Sequence, residues 1–158
     1  MSPSSALQVT ITPPVISAFS EPPTVPIQVS VHNPADAPVT VLNWGTPLDP
    51  SANVLSIFEI QDITENQPVT LETIKISRRT PPSVDDLVEI PAGSSINKQV
   101  TLPLIPLTMG HDYSIQAKGI WHSVWDSPLQ EVTAANLEQF GEARRGEFSS
   151  NVASIQIQ

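Results

Sequence analysis

Ile27-Gln28-Val29-Ser30-Val31-His32-Asn33-Pro34-Ala35-Asp36-Ala37-Pro38-Val39-Thr40-Val41-Leu42 is the stretch that decides the fold. Ile27, Val29 and Val31 fall on one face of an extended chain, and Gln28, Ser30 and His32 on the other. Asn33-Pro34 and Pro38 then break the run before Val39 to Leu42 resumes it. Period-two alternation, a proline-punctuated turn and a second apolar run read as strand, loop, strand. The stretch predicts an antiparallel, all-β protein and leaves its chemistry open.

Working outward, Leu7 to Ile11 predicts a first strand, with Leu7, Val9 and Ile11 turned inward. Ile57 to Ile60, Val69 to Ile76, Leu87 to Ile90 and a run alternating through Ile96, Val100 and Leu102 predict further strands. Lys98 shares the inward face of that last run, and the mixed face of Val69 to Ile76 suits a sheet edge or a bulge. Pro91-Ala92-Gly93 reads as a tight turn. Asp112 to Lys118 and Val152 to Ile157 complete the pattern. Between them, Trp121 to Phe148 breaks the β signal. Ala134, Leu137 and Phe140 follow a candidate N-cap, Thr133, at helical spacing, and predict a short helix or ordered insertion.

The chain has 158 residues, 39% of them hydrophobic, which suits one domain spanning 1–158 with a single two-layer core. Seventeen prolines stand against six glycines. Proline cannot donate to a sheet ladder, so it marks strand ends, edges and loops. Many short strands so divided predict an immunoglobulin-like antiparallel β-sandwich.

A net charge of −9 with only seven basic residues argues against nucleic-acid and anionic-membrane partners. Arg78-Arg79 and Arg144-Arg145, the densest basic spots, read as solvated loop charges. Without cysteine there is no disulfide framework, thiolate zinc site or cysteine nucleophile. Neither a leader-like segment nor an Asn-x-Ser/Thr acceptor is present, so the chain as encoded reads as cytoplasmic. A secreted protein whose leader had been removed would read the same way.

No cofactor or metal is expected. His122 and Asp126 stand four apart, with His111 and Asp112 upstream, yet strand-to-loop spacing does not converge ligands. Asp85-Asp86 could act as acid and base, but neighbours on an extended chain point to opposite faces. Neither a Gly-x-Ser-x-Gly elbow nor a phosphate-cradling glycine loop occurs.

Trp44 reads as the large core residue between sheets. Trp121 and Trp125 flank His122 and read either as an aromatic platform or as closure of the core. Tyr113 suits a hydroxyl tether to a nearby loop.

The order of segments resembles the N-terminal pro-domains of fungal deuterolysin-type zinc metalloendopeptidases. The likeness runs through Val29 to Leu48, Ile57 to Ile60, Leu87 to Ser95, Gly110 to Ile115 and Ser149 to Val152. It implies a stand-alone relative of a domain that elsewhere escorts or silences a protease. His-Glu-x-x-His and the distal Asp ligand are missing, so no peptidase residue carries over.

Two functions follow as expectations. The first is a non-enzymatic protein-interaction module, an inhibitor or escort whose implied partner is a metalloprotease. Its candidate contacts are Trp121, His122, Trp125, Asp126, Arg78 and Arg79. The second is a small-molecule or carbohydrate site, catalytic or not, lined by Trp121 and Trp125 with His122 pointing inward and Asp126 and Glu131 close by. Self-association through an exposed edge such as Val69 to Ile76 is compatible with either.

Overall fold

The computed structural model describes residues 7–17, 23–71, 73–74, 82–103, 105–132 and 144–157. Eleven strands fill these residues: β1 (Gln8–Thr12), β2 (Val15–Ile16), β3 (Val25–His32), β4 (Val39–Leu42), β5 (Phe58–Asp62), β6 (Gln67–Val69), β7 (Leu87–Ile90), β8 (Ser95–Leu102), β9 (Tyr113–Trp125), β10 (Arg144–Ser149) and β11 (Ala153–Ile157). They form the expected all-β, immunoglobulin-like sandwich. One sheet has the order β1-β3-β8, and the other the order β2-β11-β9-β4-β7, with β5, β6 and β10 joined around β9. All pairings are antiparallel except β2 with β11.

Alternation read from the sequence carries directly into packing. β3 buries Val25, Ile27, Val29 and Val31 against a core that also takes Val9, Ile11, Val100 and Leu102 from its sheet. The facing sheet contributes Val39, Val41, Phe58, Ile60, Ile90, Ile115 and Trp121. Burying such a side chain is worth about 1.5–3 kcal/mol.

β9 is the spine of the larger sheet. One edge of it pairs with β5 and then β4, and the other with β11 and then β10. It runs through to Trp125, so Trp121 to Trp125 extends the strand instead of beginning an insertion. Arg144-Arg145 opens a strand and is not a loop. The Ala134–Phe140 helix lies outside the described residues.

Four residues of β9, Trp121 to Val124, span what three residues, Arg144 to Gly146, span on β10. This bulge shifts the side-chain alternation by one. Trp121 and Val124 therefore face the main core, while Trp125 joins Leu42 and Leu87 in a second cluster with Trp44, Leu129 and Val132 packed against it. The tryptophan between the sheets is thus Trp121, fully buried, and Trp44 is only half-buried in the second cluster. All four residues of β4 are buried.

Two further differences have physical causes. Of the expected strand Val69 to Ile76, Val69 falls in β6, an edge strand carrying Pro68, while the described residues 70–71 and 73–74 are not in a strand and Ile74 donates its N–H to the Val54 carbonyl; the rest lies outside the described residues. β2 escaped the sequence reading because Pro13-Pro14 separates it from β1. That break lets the chain leave β3 in one sheet and pair with β11 in the other.

Candidate functional site

Pro34 and Pro91 interrupt the strands at one end of the sandwich, and Asn33 binds the resulting loops together. Its side-chain amide donates to the carbonyls of Ala37 at 2.9 Å and Ile90 at 3.0 Å. Its Oδ1 accepts from the Ala35 N–H at 3.0 Å, an Asx turn. Asn33 is 1% exposed. The adjoining turn closes at Gly93, whose φ of +63° is open to glycine without a Cβ clash.

Asp49 does the same for the loop after β4. This buried carboxylate accepts the N–H of Gly45 at 2.9 Å and of Ser51 at 2.9 Å. Lys98, pointing inward from β8, donates to the Asp49 carbonyl at 2.9 Å. Burial holds the Lys98 ammonium below its ordinary pKa, and the nearby Asp49 charge opposes that shift.

At the opposite end, His111 Nδ1 lies 2.8 Å from Asp62 Oδ2, and its Nε2 lies 3.8 Å from Glu65. The hydrogen bond to Asp62 raises the His111 pKa above 6.5; burial opposes it, and the charges of Asp62, Glu65 and Asp112 reinforce it. For Asp62, burial pushes upward but is outweighed by the bond to His111 and by the backbone N–H of Glu65, leaving the carboxyl below 3.8. Tyr113 stacks near His111 and accepts the Thr108 N–H on its hydroxyl at 2.6 Å, the loop tether expected of it.

The residues singled out from sequence are not brought to one place. Trp121 lies in the core, its ring centroid 4.9 Å from Phe148, and Trp125 is buried on the opposite face of the sheet. The two rings therefore form no common platform. His122 and Asp126 are exposed, and a Cβ added to Gly45 would stand 3.4 Å from His122 Nε2. Glu131 is exposed in a segment tied down where Glu89 accepts the Leu129 N–H. Arg78 and Arg79 lie outside the described residues.

His111 and His122 stand near opposite ends of β9. Among the described residues no three acidic, histidine or cysteine side chains gather as metal ligands. Asp86 is engaged in a capping box with Ser83, and Asp85 is exposed.

Sequence reasoning missed Asn33, Asp49 and Asn151 as organising residues. Asn33-Pro34 and Asp49-Pro50 carried a signal, since Asx side chains before proline start turns. Asn151 carried none: its amide accepts the Ile11 N–H at 2.8 Å and donates to the Ile11 carbonyl at 3.1 Å, across 140 residues of sequence.

This two-sheet arrangement defines the class: the immunoglobulin-like domain family matches residues 7–157, and the chain belongs to it. Over 135 residues the chain is 43% identical to an uncharacterized secreted protein of Arthroderma benhamiae, an overlap of 83% of this chain and 67% of that protein. The secreted relative overturns the cytoplasmic expectation. A leader takes no part in the fold, so the strands keep no trace of one. Nor does a chain of this size need disulfides to assemble a core.

Proposed function

We propose that this chain is a non-enzymatic, extracellular protein-recognition module. The observation that carries the reading is the use made of its buried polar side chains: Asn33 and Asp49 hold connecting loops in one shape. Loops fixed on a rigid sandwich suit recognition, because little ordering entropy remains to be lost on binding. Secretion of the relative supports an extracellular setting. The likeness to deuterolysin pro-domains supports a metalloendopeptidase as the partner, with the chain as inhibitor or escort.

The variant that tests this is His122→Ala/Asp126→Ala, both positions being exposed. A Trp121 substitution would only collapse the core. The full chain is titrated against a panel of secreted zinc metalloendopeptidases, reading peptidase activity and direct binding. Saturable binding by the native chain, weakened by the double variant, is the expected result. No binding across the panel removes the peptidase partner.

A further inference from the structure

The three rows of side chains on the outer face of the three-stranded sheet hold no Asp, Glu, Lys or Arg. The middle row, fixed by strand register, is Thr10, Ser30 and Asn97. Gln8, His32 and Ser95 form the row on one side, and Thr12, Gln28 and Gln99 the row on the other. All of these side chains are exposed or half-buried. The single charged residue in the three strands, Lys98, is turned inward onto the Asp49 carbonyl. At the chain's own charged content of 15%, one or two charges would be expected among nine positions. The chain carries 23 charged side chains, 7 basic and 16 acidic, and none of the nine residues that make up these three rows is among them.

The side chains are also ordered among themselves. Gln28 donates to Gln99 at 2.8 Å, Gln99 donates to Thr101 at 3.2 Å, and His32 Nδ1 meets Ser95 Oγ at 2.8 Å. The result is a regular grid of amides and hydroxyls, spaced roughly 5 Å across the strands and roughly 7 Å along them.

We propose that this face binds an uncharged polysaccharide lying across the strands. A regular lattice of amide and hydroxyl donors and acceptors, with no carboxylate, ammonium or guanidinium in it, matches a polymer that presents hydroxyls at regular intervals and no charge. An anionic polymer would meet a protein of net charge −9 with no ammonium or guanidinium here to offset it. A cationic polymer would find its carboxylates elsewhere on the surface. Without a stacking tryptophan each sugar is held weakly, and retention comes from many contacts along one chain. This site is independent of the loops proposed for protein recognition, so either can fail without the other.

The test is co-sedimentation of the full chain with curdlan, an insoluble uncharged β-glucan, and with polygalacturonate gel as the anionic comparison. Asn97→Asp/Gln99→Glu places two charges on the face with little change of shape. Thr10→Ala/Thr12→Ala removes hydroxyls without adding charge, and Glu59→Gln alters an exposed residue of the other sheet. Thermal unfolding checks that each variant is folded.

Expected are retention on curdlan that survives raised salt, a loss of about tenfold or more in both face variants, and no change for Glu59→Gln. Absence of retention on curdlan overturns the proposal, as does equal retention by the face variants or preference for polygalacturonate. A concentration-dependent dimer abolished by the same face variants, without glucan binding, also overturns it and makes a second copy of the chain the occupant.

Discussion

Replacing Asn33 with alanine removes two short donor bonds, to the carbonyls of Ala37 and Ile90, and the Asx acceptor for the Ala35 N–H. The Ile90 bond is buried, so its carbonyl loses a partner where water does not readily replace it. A net hydrogen bond is worth about 0.5–1.5 kcal/mol, and a buried group left unpaired costs about 1–3 kcal/mol. Summed over the site, Asn33→Ala should lose about 2–4 kcal/mol. For a chain of this size that lowers Tm by roughly 5–15 °C.

Asn33→Asp separates the two roles of the amide. It keeps the Asx acceptor but points a carboxylate oxygen at carbonyls that need a donor. It should therefore be at least as damaging as alanine at neutral pH, and recover in acid when the carboxyl is protonated. Urea denaturation reads both variants as a shift in midpoint at constant m. A tolerated Asn33→Asp, more stable than Asn33→Ala at neutral pH, would refute the donor role and with it the account of how these loops are held.

Other expectations follow from single contacts. A Cβ on Gly119 would lie 2.7 Å from Phe148 Cζ, a ring already packed on Trp121; Gly119→Ala should cost about 1–3 kcal/mol, and Phe148→Leu should relieve part of that in a double-mutant cycle by thermal unfolding. Trp121→Ala should lose about 3–5 kcal/mol as a core truncation, measured by urea denaturation. His111, raised above 6.5, contributes stability that is full below its unfolded pKa and lost as pH rises through the higher folded value. Asp62, held below 3.8, contributes above that value and loses it as pH falls further, so the pair is strongest between about 4 and 6.5. An NMR titration should place the His111 midpoint above 6.5 and His111→Gln should flatten the stability profile around it; a midpoint at or below 6.5 would contradict the pairing with Asp62.

β3 and β8, each with one buried face, were legible in sequence by alternation, because period two has a single physical meaning there. β4 and β7 were located to the residue as short apolar runs bounded by turn signals. β9 was read only to Lys118, because beyond it Gly119 and the bulge before Val124 break the alternation that identifies a strand. The candidate site was less legible for the same reason. Trp121 and Trp125 look like one aromatic pair in sequence, and the single extra residue between Trp121 and Val124 sends them to opposite faces. The link from Asn151 to Ile11 depends on a side chain reaching the far end of the chain, and local spacing holds no record of it.

The parallel pairing of β2 with β11 determines how the domain meets tension. Gln156 pairs with Val15 and Ile157 with Ile16, in strands that run the same way. Pulling the chain apart through these two strands slides one along the other, so their hydrogen bonds are stretched together instead of opened one by one. The Asn151 amide, clasped to both the N–H and the carbonyl of Ile11, lies in the same line of force. Extension along this direction would meet a short, stiff clamp, whereas peeling β7 from the outer edge of β4 would unzip one rung at a time.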